Sequence, residues 1–158
     1  MQSRIETLTE KKLIGKRMKM SLAEDHTLAL WQSFAPRLKE INNRVSSDKI
    51  SMQIYAEPLK MGDFHRQFEK WAAVEVSDFQ NVPEDLETFT LPDGLYAVFD
   101  YKGSSADPQI FIYIFTEWLP NSAYALDDRP HFEVLGDRYK NADPESEEEI
   151  WIPIKPKS

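Results

Sequence analysis

Cysteine is absent from all 158 residues, which removes disulfide bridges, thiol nucleophiles and cysteine-type zinc sites from consideration. Glycine is scarce: Gly15, Gly62, Gly94, Gly103 and Gly136 stand alone, and their spacing matches neither a dinucleotide-binding turn nor a phosphate-cradling loop. A Gly-x-Ser-x-Gly elbow is missing too. The three histidines, His26, His65 and His131, lie far apart without paired ligand spacing, so no metal and no other cofactor is expected. No apolar run is long enough to span a bilayer, and the opening residues Met1-Gln2-Ser3-Arg4-Ile5-Glu6 lack the apolar stretch of a signal peptide. Positive charge is in the minority, with 19 Lys and Arg against 27 Asp and Glu, a net charge of -8. That balance opposes attraction to nucleic-acid phosphates and to anionic membranes. The expectation is a cytoplasmic protein with no direct nucleic-acid partner and no membrane contact.

What the chain does carry is apolar and aromatic mass: 41% hydrophobic residues, 12% aromatics and four tryptophans. This suffices for the core of one domain, and some of the aromatic excess is available to line a ligand site.

The final strand organises the rest. In Glu149-Ile150-Trp151-Ile152-Pro153-Ile154-Lys155, side chains alternate between faces, so Ile150, Ile152 and Ile154 point one way and Glu149, Trp151 and Pro153 the other. One face is core; the other pairs a carboxylate with an indole, a combination suited to a flat organic cation. The same alternation is also what a solvated sheet face shows.

Further elements follow by pattern. Lys11–Met20 reads as an edge strand protected by lysines. Residues 25–41 form an amphipathic helix capped by Asp25 and interrupted at Pro36. Residues 50–57 alternate with Ile50, Met52 and Ile54 directed to the core and Gln53, Tyr55 and Glu57 opposite. A loop covers 58–66. In the next strand Ala72, Val74 and Val76 face the core, leaving Trp71, Ala73 and Glu75 on the far side. After a linker near 81–85 comes a strand over 95–101, then a helix over 109–119 that Asp107 caps, that is apolar nearly all round and that Pro120 stops. Strands at 131–135 and 147–155 end the chain. The element order repeats, which implies a single domain over 1–158 with pseudo-repeat halves at about 9–80 and 85–156. The fold class expected is α+β: duplicated β-α-β-β units in one antiparallel sheet, two helices on one face and a central ligand pocket on the other. Tyr55, Trp71, Glu75, His131, Glu133, Glu149 and Trp151 are expected to look into that pocket.

Four segments carry a family resemblance: Leu95-Tyr96-Ala97-Val98-Phe99, the run Phe115-Thr116-Glu117-Trp118-Leu119-Pro120-Asn121-Ser122-Ala123-Tyr124, then Arg129-Pro130-His131-Phe132-Glu133-Val134-Leu135, and the final strand. In that order they resemble the GyrI-like effector-binding domains of AraC-type and MerR-type regulators. The resemblance implies a central pocket for a lipophilic, cationic aromatic molecule, with the family's buried glutamate on Glu149. Trp151, Tyr55, Trp71, Trp118 and Tyr124 then serve as walls or rim, and Glu75, Glu133 and His131 as further polar groups. No helix-turn-helix flanks the matched region, so a stand-alone sensor is expected, with any DNA contact supplied by a separate protein. Two other behaviours follow from the same resemblance: hydrolysis of strained electrophilic toxins with Glu149 as catalytic candidate, and contact with DNA gyrase as protein partner.

Overall fold

A computed structural model describes residues 2–57 and 62–157. Nine strands form an antiparallel sheet: β1 Gln2–Leu8, β2 Lys11–Met20, β3 Lys49–Ile54, β4 Phe68–Val76, β5 Glu87–Leu91, β6 Gly94–Lys102, β7 Tyr124–Leu126, β8 His131–Leu135 and β9 Glu147–Pro156. The strand order is β1-β6-β9-β8-β3-β4-β2-β5, with β7 added to the end of β9. Helix α1, Thr27–Phe34, runs into a 3-10 turn at Ala35–Glu40 where Pro36 breaks the α pattern. Helix α2, Gln109–Tyr113, widens into a π turn over Ile114–Trp118. Of the loop expected over 58–66, residues 58–61 lie outside the described residues.

The order is symmetric about β8 and β3. Replacing β1, β2, α1, β3 and β4 by β5, β6, α2, β8 and β9 reproduces the sheet, and the pseudo-dyad passes between Met52 and Phe132, which pair directly. The two outermost strands are exchanged: β1 pairs with β6 of the second half, and β5 with β2 of the first. The edge-strand expectation for Lys11–Met20 therefore fails over Lys11–Gly15, which β5 covers, while β5 does not extend over Lys16–Met20. Both exchanged strands are short and polar on alternate residues, which left them without a signal strong enough to predict.

The exchange dictates curvature. β1 and β2 stand six positions apart in the sheet, about 29 Å if it were flat, yet only Thr9 and Glu10 connect them, a reach of about 11 Å. Pro92 and Asp93 impose the same closure between β5 and β6. The sheet must curl, and its inner face becomes core. Leu8, Leu13, Ile50, Met52, Trp71, Leu91, Tyr96, Val98 and Phe132 pack there as one buried cluster.

The outer face carries two separate helix-covered cores. Helix α1 seals Ile14, Met20, Phe68, Ala72, Val74 and Val76; helix α2 seals Ala97, Phe99, Ile150, Ile152 and Ile154. Helix α2 is not covered all round as its composition suggests, since Ile112 and Tyr113 are exposed. The helix caps fall one residue later than expected, at His26 and Pro108; Asp25 and Asp107 stand one residue before them and accept the backbone N–H of Thr27 at 2.9 Å and of Gln109 at 3.0 Å. Among the described residues no helix is long and apolar enough to cross a membrane.

Candidate functional site

Cross-strand register decides which expected site residues can meet, because directly paired residues share a face. Trp151 pairs with Phe132, Phe132 with Met52, and Met52 with Trp71. This row lies on the inner face, where Trp151 stacks on Phe132 at 5.2 Å and meets Tyr96 edge-on at 5.8 Å. Trp71 packs against Phe89 at 5.6 Å and is 3% exposed. The groove expected between the halves on this face is thus filled by their own side chains.

Glu149, expected at the floor of a dry cavity, sits at the rim of that face with 37% of its side chain exposed and is ion-paired to Arg4 at 3.0 Å. It also accepts the Trp151 indole N–H at 3.1 Å. Trp71 makes the equivalent bond to Glu69 at 2.7 Å, and Arg17 holds Glu69 at 3.1 Å. The acid partner of Trp71 is therefore Glu69, two residues before it as Glu149 is before Trp151, and not Glu75, which is paired with Lys11 at 3.1 Å. The acid-plus-indole pattern is a structural clasp repeated in both halves. Trp118 and Tyr124 belong to the α2 core; Trp118 meets Phe99 edge-on at 5.1 Å.

Tyr55, His131 and Glu133 face the other way from the expectation. In β3 it is Ile50 and Met52 that fill the inner face, so Gln53 and Tyr55 lie on the outer, helix-bearing face, and pairing of Gln53 with His131 and of Ser51 with Glu133 puts β8 in the same phase. The inversion has a simple cause: both faces of this sheet are buried, so an apolar row does not say which one it occupies.

On that outer face, at the pseudo-dyad between the two helix-covered cores, a polar cluster is enclosed. Ser51, Gln53, Lys70 and His131 are buried; Glu133 and Glu148 are half-buried. The His131 ring lies 5.0 Å from Tyr55 and 6.2 Å from Phe115, and Tyr55 lies 5.4 Å from Phe68. Phe115 is placed by the π turn, whose widened register is closed by the Leu119 N–H on the Ile114 carbonyl at 2.8 Å. In the amide orientation that satisfies both ends, Gln53 accepts from the Lys70 ammonium and donates to the His131 carbonyl at 3.3 Å.

Electrostatics mark the same place. Burial pushes His131 down to about 4, so its imidazole is neutral. Burial raises Glu133, partly offset by the Lys70 charge. Burial, and then the neighbouring Glu133, raise Glu148 to about 8, with Lys70 opposing. Tyr55, Tyr101 and Tyr139 are raised, mainly by burial, and each also feels one or both of these carboxylates. Two acids, three tyrosines, a phenylalanine and a neutral histidine thus converge. A cavity of about 560 Å³ opens beside them where β8 and β9 diverge beyond Val134 and Glu149, and Glu148 and Tyr101 are among its walls. Among the described residues no group of three or more acids and histidines is arranged to hold a metal.

A curled sheet built from two exchanged β-α-β-β units, with a polar and aromatic site on their pseudo-dyad, defines a ligand-binding module. The chain belongs to the GyrI-like small molecule binding domain family, whose model matches residues 1–155. It is 33% identical over 129 residues to the transcriptional regulator BrlR of Pseudomonas aeruginosa, a match that covers 79% of this chain and spans 45% of that regulator's length. Its fold is that of SAV2435 bound to tetraphenylphosphonium, with a TM-score of 0.72 at 19% identity over 98% of this chain and 94% of that one. The C-terminal domain of EcmrR aligns with a TM-score of 0.74 at 14% identity, covering 99% of this chain and 98% of the domain. The module is thus related to the effector domains of transcription regulators.

Proposed function

We propose that this domain binds a lipophilic organic cation on its outer face, at the pseudo-dyad, with Glu133 and Glu148 as the charge partners. The observation that carries this is the pair of carboxyls held among Tyr55, Tyr101 and Tyr139 beside one buried lysine, Lys70, where burial raises both acids. Desolvated acids beside aromatic faces have little to gain from neutral ligands and much from a diffuse positive charge, which restores their ionised form and meets the ring quadrupoles. Likeness in fold to a protein bound to tetraphenylphosphonium supports the same ligand chemistry. Phe115 and His131 supply apolar surface, and the cavity beside Glu148 supplies access. Glu149, half-buried and paired with Arg4, serves the inner-face clasp in this assignment.

Tryptophan-fluorescence titration with tetraphenylphosphonium and with neutral triphenylphosphine oxide tests the assignment. The cation should bind more tightly, and Glu133→Gln should weaken it tenfold or more, about 1.4 kcal/mol, while affecting the neutral compound much less. Equal weak binding of both compounds, or a Glu133→Gln protein that binds the cation as well as wild type, sinks it.

A further inference from the structure

We infer that this site takes one positive charge per ligand and gives up one proton in exchange. The inference rests on the cation-binding assignment and on a count of the charges that the fold brings together. Glu133 and Ile150 are cross-strand partners, and Glu148 lies two residues along β9 on the same face. The two carboxyls are thus diagonal neighbours on adjacent strands, within interaction range. The charges acting on Glu148 are Glu133 and Lys70. Lys70, from β4, is buried and also acts on Glu133.

The other groups around the pair do not change the count. His131, from β8, is desolvated and neutral. Tyr55, just after β3, Tyr101, from β6, and Tyr139, from the loop after β8, are phenols held in their neutral form. Lys49 shares the face at the outer end of β3, where it is half-exposed. The cavity wall beside Glu148 also carries Asp48, Asp100, Asp137 and Glu149. Asp100 and Glu149 are bound by Arg4, Arg138 is paired with Glu147 and Lys102 with Glu145, each 3.4 Å apart and largely in solvent, and none of these is among the charges acting on Glu148.

One buried lysine balances one carboxylate. The second carboxyl is neutral only if protonated, and two carboxyls sharing a site ionise together at high cost. Before a cation arrives the site therefore holds Lys70 with one carboxylate and one carboxylic acid, and the cation takes the place of the acid proton. Glu148 is the member whose elevation puts that exchange near neutral pH. A ligand with two positive charges would leave the site with an uncompensated charge; a neutral ligand would leave the proton in place and meet a hydrogen-bond donor.

Tetraphenylphosphonium has no titratable proton, so any pH dependence of its binding belongs to the protein. Isothermal titration at pH 7 in buffers of different ionisation enthalpy should show close to one proton released per ligand bound. Affinity should rise about tenfold from pH 6 to pH 7 and level off above about pH 8.5. In Glu148→Gln the proton release should vanish and the weaker remaining binding should become flat with pH. In Glu133→Gln, relief of the like-charge repulsion should move the pH dependence to lower pH. Saturable binding of tetraphenylphosphonium with equal affinity at pH 6 and pH 8.5 and no proton release overturns the exchange while leaving the cation site standing. Proton release that persists in Glu148→Gln overturns the assignment to that residue, and no saturable binding at any pH overturns both the exchange and the site it rests on.

Discussion

The Glu149 carboxylate accepts the indole N–H of Trp151 from two residues along the same strand, at 3.1 Å. Neighbouring outward residues on a strand rarely touch unless something turns one toward the other, and here Arg4, reaching from β1 to Glu149 at 3.0 Å and to Asp100 at 3.0 Å, supplies that pull. The bond fixes the indole flat on Phe132, at the place where the two halves meet. Because Glu149 and Arg4 are both more than a third exposed, the ion pair contributes little by itself, less than about 1 kcal/mol. Glu149→Gln should accordingly lower the urea midpoint only slightly and leave tetraphenylphosphonium affinity unchanged. A tenfold loss of affinity in this variant would place the charge partner on the inner face after all.

Met52 faces Phe132 across the pseudo-dyad and is fully buried, so its side chain touches the packing of both halves. Met52→Ala should cost about 2–5 kcal/mol, measured by chemical denaturation. Because the residue lies on the opposite face from Gln53 and His131, ligand affinity in the folded fraction should be retained. A loss of binding in folded protein would show that the inner core and the outer site are coupled.

Gly15 on β2 pairs with Ala73 of β4. A methyl group there would collide with the Ala72 carbonyl and come within 2.8 Å of the Ala73 Cα, and backbone on a central strand cannot move aside cheaply. Gly15→Ala should destabilise the fold by about 1–3 kcal/mol through overpacking, read as a fall in melting temperature. An unchanged melting temperature would mean that β2 and β4 can separate without disturbing the sheet.

The sequence patterns were legible where one element had one reason to form. Strand alternation gave the phase of β4 and β9 correctly, with Ala72, Val74, Val76 and Ile150, Ile152, Ile154 beneath the helices. It failed for β3 and β8 because Ile50, Met52 and Phe132 answer to an inner core that exists only once the sheet has curled, and the curl comes from strand exchange between distant segments. The site residues that pattern reading passed over, Lys70 and Glu148, did leave a trace. Lys70 is in phase with Ala72, Val74 and Val76, and Glu148 is in phase with the three isoleucines of β9. A charged residue in phase with a core face is costly unless it has partners or a task, and that misfit was a better pointer to the site than the acid beside an indole. Tyr101, Phe115 and Tyr139 had no such trace, since aromatics beside a helix look like ordinary core.

Two residues of the cluster give opposing pH dependences of stability: His131 alone makes it rise up to about pH 4.5, the two limbs oppose each other between about pH 4.5 and 6.5, and Glu148 alone makes it fall from there toward pH 8. His131 is held down to about 4 in the folded chain against 6.5 in a free imidazole. Between those values the unfolded chain binds more protons, so stability rises with pH across the window. Glu148 is held up to about 8 against 4.5. Between those values the folded chain binds more protons, so its contribution is complete below about pH 4.5 and is lost as pH climbs toward 8. At about 1.4 kcal/mol per unit, reduced for the partial exposure of Glu148, this second limb amounts to roughly 2–3 kcal/mol. Urea midpoints of wild type and Glu148→Gln at pH 5, 6, 7 and 8 isolate it, because the His131 limb is common to both proteins and cancels in the difference. The variant should gain on wild type steadily from pH 5 to pH 8. Parallel profiles across that range would mean that the Glu148 carboxyl ionises in the folded chain as easily as it does in water, and the desolvated pair at the dyad would not exist.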